Sequence, residues 1–263
     1  MLLTPKKLGA IGIGLNAFAC VVSLLLMLPV IFVILLSFGE SRWLLFPPPG
    51  WTFRWYGAVF SKPGWIQSLW LSIEIGLYVV AAALLLGVPA SFALVRGKFV
   101  GKTALNALFT APLIVPYVIL AVSLYAVVLK AGIAGTKIAF VISHLILALP
   151  FVIISVSNSL RSFDASLERA AMICGATRAE AILRVTLPSI RHGIFAGALF
   201  AFLISWDEVI LSIFMSGPNL QTLPVRMWSM IRADLSPEIA AVASIMVVSS
   251  MLMILGIMSA WRK

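Results

Sequence analysis

Between Leu8 and Gly39 the chain carries no charged residue. A run of that length leaves few options, because about 20 apolar residues rising about 1.5 Å each already cross about 30 Å of hydrocarbon. In that solvent every backbone N–H and C=O must be satisfied internally, which an α-helix achieves within one segment. Five further apolar runs follow. Together they predict transmembrane helices near Leu15–Phe38, Ile66–Val95, Leu105–Leu129, Ile138–Ser159, Gly193–Met215 and Ile239–Trp261. Composition agrees: 62% of the 263 residues are hydrophobic and 11% are charged, against about 45–50% and about 25% in soluble domains. These values exclude a disordered chain, a disulfide scaffold and an ordinary soluble enzyme. Continuous runs in place of alternation exclude an outer-membrane barrel. The expected fold is an all-α membrane protein, six transmembrane helices in a single domain over residues 1–263. Pro29, Pro89, Pro112, Pro116 and Pro150 fall inside the runs, where neighbouring helices can satisfy the freed carbonyls.

Nineteen Lys and Arg against nine Asp and Glu give a net charge of +10. In a soluble protein that excess points to nucleic acid; here it reports topology and contact with anionic lipid, and no nucleic-acid partner is expected. Six spans put both termini on one side. Twelve of the nineteen basic residues fall there, Lys6, Lys7, Arg96, Lys102, Arg184 and Lys263 among them. Both termini are therefore expected in the cytoplasm. Lys6 and Lys7 before an apolar run also resemble a signal peptide. The run is longer than the roughly 7–15 residues of such a core and no A-x-A-like site closes it, so an uncleaved first helix is expected. Cys20 and Cys174 have neither the spacing nor the context of a disulfide or metal site.

Two loops are longer than simple connections. Gly39–Trp65, on the outer side, contains Trp43, Trp51, Trp55 and Trp65, which suit an aromatic belt at a membrane surface or a docking face for an external partner. The cytoplasmic loop 160–192 predicts two short helices. Asp164 caps the first, which ends at Gly175; the second covers Arg178–Leu187 and stops at Pro188. An elbow of this kind can lie beneath the membrane, and Ala170 and Ala171 allow another backbone to approach closely.

Arg169-Ala170-Ala171, three residues, Gly175, nine residues and Val185-Thr186-Leu187-Pro188 resemble the cytoplasmic EAA signature of ABC-importer permeases. Its usual form is Glu-Ala-Ala, then Gly, then Ile-x-Leu-Pro. Arg169 replaces the Glu and Val185 the Ile, and an acid stands one position earlier at Glu168. The likeness extends to the spermidine/putrescine-type permeases, the second permease of the pair, through Phe46-Pro47-Pro48-Pro49-Gly50, Arg54-Trp55-Tyr56, Asp207-Glu208, Ser216-Gly217-Pro218, Thr222-Leu223-Pro224 and Ser236-Pro237-Glu238. The resemblance implies a type I importer fold in the bacterial inner membrane. It further implies that a coupling helix around Ala170–Gly175 docks on a separate ATPase, with Glu168, Arg169, Ala170, Ala171, Gly175, Leu187 and Pro188 as coupling residues. The implied partners are a second permease subunit, a cytoplasmic ATPase dimer that holds ATP and Mg, and an external substrate-binding protein. On this reading the chain is a transport subunit without cofactor or catalytic residues of its own.

Gly97-Lys98-Phe99-Val100-Gly101-Lys102-Thr103 looks like a phosphate-binding loop. Its first Gly is three rather than four residues from Gly-Lys-Thr, Arg96 stands where Gly is required, and no strand precedes it. A basic turn between spans is expected. Gly193-x-x-x-Gly197 reads as a helix-packing motif and no more.

Charged groups inside a membrane cost about 2.5–3.5 kcal/mol each on the insertion scale, so Glu74, Asp207 and Glu208 require a reason. Asp207 precedes Met215 by eight residues, about 12 Å of helix, and Glu74 follows Ile66 by the same count in a span of opposite direction. That arithmetic predicts one shared layer. Trp206 offers a ring face to a cation, worth about 0.5–2 kcal/mol. The candidate pathway is therefore Asp207, Glu208, Trp206 and Glu74. Only one of Asp207 and Glu208 is expected to face it, since successive helical residues point about 100° apart. His144 is expected to make an interhelical hydrogen bond. These residues fit a permease that imports a small cationic, polyamine-like solute by alternating access. Other small solutes (an amino-acid-like compound, an opine, a phosphonate or ferric iron) fit the same machine, and a non-transporting scaffold is the alternative of a different class. No His/carboxylate cluster or Ser/His pair supports an intramembrane enzyme.

Overall fold

The computed structural model describes residues 9–233 and 236–260. They form thirteen helical segments: α1 (Gly9–Leu36), α2 (Arg54–Ser61), α3 (Pro63–Arg96), α4 (Lys102–Thr110), α5 (Tyr117–Lys130), α6 (Lys137–Ser162), α7 (Ala165–Ile173), α8 (Arg178–Ala181), α9 (Leu187–Ser189), α10 (Arg191–Asp207), α11 (Ile210–Met215), α12 (Leu223–Ala233) and α13 (Pro237–Ala260). Among the described residues four uninterrupted helices, Gly12–Leu36, Pro63–Arg96, Lys137–Ser162 and Pro237–Gly256, are long and apolar enough to cross a membrane; two bent pairs, Lys102–Leu113 with Tyr117–Lys130 and Arg178–Ser189 with Arg191–Asp207, raise the number to six. The chain is an all-α membrane protein.

The third and fifth spans are broken, against the continuous helices expected. The third bends by 104° between Leu113 and Tyr117. Pro112 and Pro116 account for this: each lacks a donor and crowds the preceding turn, and together they leave only a 3-10 turn, Ala111–Leu113, before α5 restarts. The fifth stops at Asp207 and restarts at Ile210, with Glu208 in extended backbone. No Pro or Gly marks that break.

The chain divides into two compact units, Pro63–Ser229 with Ser250–Lys263, and Met1–Lys62 with Met230–Ser249. The first is built on α3, α6 and α10. Leu71, Ile75, Val79 and Ala83 repeat every four residues along α3 and meet Ala148, Val152 and Val156 of α6 and Ala201 of α10 in one core. Apolar side chains gain little by leaving lipid, so close backbone approach holds such helices together. Gly193 and Gly197 provide it: a Cβ on Gly197 would lie 3.1 Å from the Val152 backbone, and one on Gly193 only 2.1 Å from the Ser159 hydroxyl. Ser91 adds a polar tie, donating to the carbonyls of Gly87 and Ile153.

In the other unit α1 presents Phe18, Leu24 and Leu26 outward, each about two-thirds exposed (69%, 67% and 70%), as lipid or a neighbouring subunit requires. The loop after it folds back through Glu40 N–H to Gly50 O (2.9 Å) and Thr52 N–H to Phe38 O (2.7 Å). Trp55 donates to Gly39 O at 2.7 Å, and Arg54 lies 4.4 Å above its ring. Trp43 and Trp51 are exposed, as a belt requires. Trp65, expected in the same belt, is instead buried in the first unit beneath the Arg226 guanidinium.

Candidate functional site

The break in the fifth span brings chemistry to one place. α10 ends with its last carbonyls unmatched, and α11 begins with unmatched N–H groups, as every helix end does. Glu208 is buried, and its Oε1 accepts from Leu211 N–H at 2.8 Å, so this carboxylate caps α11. Its charge opposes the positive end of the short helix. Asp207, by contrast, is exposed. The two adjacent acids differ in burial, but the step of about 100° along a helix does not separate them, because Glu208 lies in extended backbone beyond the end of α10. Both line a cavity of about 350 Å³, together with Ile204, Ile210 and Tyr117. Tyr117 is the first residue of α5, so both broken spans border the same space. With Glu208 committed to α11, the free negative features of the cavity are the Asp207 carboxylate and the C-terminal end of α10.

His144 supports this break from α6. Its Nδ1 lies 2.9 Å from Ser205 Oγ, in the last turn of α10, and its Nε2 lies 2.9 Å from Ser212 Oγ in α11. The interhelical bond expected of His144 is present on both sides of its ring.

Trp206 and Glu74 lie elsewhere. Trp206 is buried, stacked on Phe202 at 5.8 Å, and does not line the cavity; its helix turns the ring inward, and Tyr117 supplies the aromatic group instead. Glu74 and Asp207 line different cavities. Both Glu74 oxygens accept from Lys137 Nζ at 2.7 Å, at the very start of α6. Ser205, two residues from Asp207, meets α6 seven residues later at His144, about 10 Å along the helix. Glu74 and Lys137 line a separate cleft of about 640 Å³ with Gln67, Asn219 and Arg226.

At the other end of α6 the loop 160–192 folds largely as its sequence predicts. Asp164 caps α7, accepting from Ser166 N–H at 2.8 Å. Gly175 ends it with φ +98°, a backbone conformation that side-chain-bearing residues resist. Thr177 and Glu180 then form a reciprocal capping box, a Thr-x-x-Glu signal present in the sequence and not used there. The following helix continues past Pro188 to Ser189 through a wide π turn, Ile182–Thr186, and bends by 68° into α10. The widened turn accommodates the missing Pro188 donor, which explains why the expected stop at Pro188 does not occur.

Within this loop Glu168 faces inward and Arg169 outward. Glu168 Oε2 accepts from Thr186 Oγ1 at 2.8 Å and from Arg96 Nη1, the last residue of α3. Arg96 is itself flanked by the rings of Phe92 and Phe163, at 5.1 and 5.6 Å. Burial raises the Glu168 pKa, but the Thr186 hydroxyl and the Arg96 guanidinium outweigh it and hold the carboxyl below its ordinary value. Ala170, Gly175 and Pro188 are exposed, and Ala171 and Leu187 half-buried. Leu167, Met172 and Ile173 of the same helix are also exposed, Ile173 by 86%. Gly97–Gly101 is a turn that ends α3, with Lys102 Nζ donating to the Val95 and Gly97 carbonyls.

Residues 83–261 match the family described as binding-protein-dependent transport system inner membrane component. The spermidine/putrescine transport system permease protein PotC of Haemophilus influenzae is 30% identical over 239 residues, 91% of this chain and 93% of that protein. The putrescine transport system permease protein PotI of Escherichia coli K12 is 33% identical over 224 residues, 82% and 79% of the two chains. In fold, a solved bacterial ABC transporter involved in import of the acidic polysaccharide alginate aligns with a TM-score of 0.70 at 15% identity, covering 100% of this chain and 99% of that one. Multi-pass architecture, the family match and the two polyamine-permease relatives lead to one conclusion: the chain belongs to the inner-membrane permease family of binding-protein-dependent transport systems, and is a permease component of an ABC importer.

Proposed function

We propose that this permease forms half of a translocation pathway for a small cationic, polyamine-like solute, with Asp207 as the group in this chain that meets the cation. The observation that carries the reading is the exposed Asp207 carboxylate at a helix break, opening on a cavity bordered by a second broken span. Discontinuous membrane helices place charge and free backbone groups where a solute can use them, and the C-terminal end of α10 adds partial negative charge to the carboxylate. Tyr117 lies across the cavity with a ring and a hydroxyl. The relatives are named for spermidine and putrescine, which agrees with a dication or polycation.

The remaining partners follow the same reading. The exposed apolar side chains of α7 (Leu167, Met172, Ile173) seat in a cytoplasmic ATPase dimer that holds ATP and Mg, with both termini of this chain on that side. Glu168 passes movement of α7 to α3 through Arg96 and to the π turn through Thr186, and alternating access results. A second permease subunit completes the pathway, and an external binding protein delivers the solute. The test is reconstitution of this permease with its cognate permease, ATPase and binding protein in proteoliposomes. ATP-dependent uptake of labelled putrescine, competed by spermidine and not by a neutral sugar, is expected; uptake confined to neutral or anionic solutes would overturn the substrate class.

A further inference from the structure

We infer that His144 is the positioning residue of the helix break, holding the two halves of the fifth span at a fixed spacing so that Asp207 stays aimed into the cavity. The inference rests on the pathway reading for its functional consequence and on geometry for its structural one. His144 is 1% exposed, Ser205 4% and Ser212 0%. Ser205 lies two residues before Asp207, and Ser212 lies four residues after Glu208. One ring therefore grips both sides of a junction that has lost its own backbone ladder, while Glu208 caps only the second half.

The chemistry suits an imidazole. A neutral ring presents one N–H and one lone pair on opposite sides, and a serine hydroxyl either donates or accepts, so both contacts are satisfied together. The ring is held by α6, whose Ala148, Val152 and Val156 sit in the core of α3, α6 and α10. Phe140, one turn away on α6, meets the ring edge-on at 6.0 Å and limits its rotation. A rigid helix thus fixes the ring, and the ring fixes the break.

The experiment uses the complete reconstituted complex and two readouts. In a Cys20→Ser, Cys174→Ser background, spin labels at positions 200 and 213 report the distance across the break. His144→Ala and Ser212→Ala should broaden that distribution, whereas Ser157→Ala, on α6 away from the break, should leave it narrow. In putrescine uptake, loss of one membrane-interior hydrogen bond corresponds to about threefold in affinity. Half-saturation should therefore rise about threefold in Ser205→Ala and in Ser212→Ala and about tenfold in His144→Ala, with the maximal rate changed less. His144→Ala with Ser212→Ala should be no worse than His144→Ala alone. An unchanged distance distribution in His144→Ala, or additive losses in the double variant, would overturn the inference. Ser212→Ala keeps the test decisive if His144→Ala fails to assemble. If the break loosens as expected while Asp207→Asn transports normally, the pathway reading fails and the positional role of His144 stands.

Discussion

Glu168 on α7 is ion-paired to Arg96, the terminal residue of α3, with one carboxylate oxygen serving both Arg96 and Thr186. The helix proposed to meet the ATPase is thereby bonded to a core helix of the membrane bundle and to the π turn that leads into α10. In the signature resembled by this loop the acid occupies position 169; here Glu168 points into the structure and Arg169 points out. The pair is only partly screened, with side-chain exposures of 23% and 10%, so each charge is costly to leave alone. Glu168→Ala and Arg96→Ala should each lower putrescine-stimulated ATP hydrolysis about tenfold while basal hydrolysis and complex assembly persist. The double variant should lose no more than the worse single variant, as one shared interaction requires. Arg169→Ala should leave assembly of the loop unchanged.

The same pair gives a pH dependence. The Glu168 carboxyl titrates below its ordinary value of about 4.3 when α7 is seated. A depressed value contributes stability above the ordinary pKa and loses it as pH falls through that value toward the seated one. Cys174, exposed at the end of α7, offers a site for a fluorophore in a Cys20→Ser background. Its anisotropy should stay constant from pH 7 to 5 and fall below about pH 4. Glu168→Gln should abolish that transition.

Gly175 has φ +98°, and a Cβ added there would meet nothing within 4 Å, so backbone strain is the only cost of adding a methyl group. Gly175→Ala should weaken the elbow by about 1–2 kcal/mol. The expected reading is lower ATPase co-purification at normal membrane insertion; unchanged co-purification would show that the loop tolerates another turn.

Glu208 should behave as a cap. An amide oxygen still accepts the Leu211 N–H, so Glu208→Gln should retain assembly and most uptake. Glu208→Ala removes the acceptor and should cost about 0.5–2 kcal/mol, seen as lower thermal stability of the purified complex. A loss of uptake in Glu208→Gln as large as in Glu208→Ala, with assembly retained, would instead indicate that its charge acts on the solute.

The spans were legible because hydrophobic runs are a local property of the chain, and so were the Asp164 cap and the Gly175 stop. The third-span break was also written locally, in Pro112 and Pro116, whose effects add when four residues apart. The fifth-span break also has a local signal, Glu208 three residues before Leu211, but that capping spacing is hidden inside an apolar run. Pairings across the chain left no local trace. Lys137 lies 63 residues from Glu74 and Arg96 lies 72 from Glu168, and only packing of α3 against α6 and the loop brings them together. Tyr117 stayed unnoticed for the same reason: its place beside Asp207 depends on two breaks at once.

The central claim is that the Asp207 carboxylate meets a cation during transport. The direct measurement is the initial rate of labelled putrescine uptake into proteoliposomes by the complete complex, with Asp207→Asn compared against the unaltered protein at equal complex content. Asparagine keeps the size and loses the charge, so uptake at sub-saturating putrescine should fall about tenfold, roughly the 1.4 kcal/mol of one partly screened ion contact, with basal ATP hydrolysis retained. Equal uptake by the two proteins would contradict the claim.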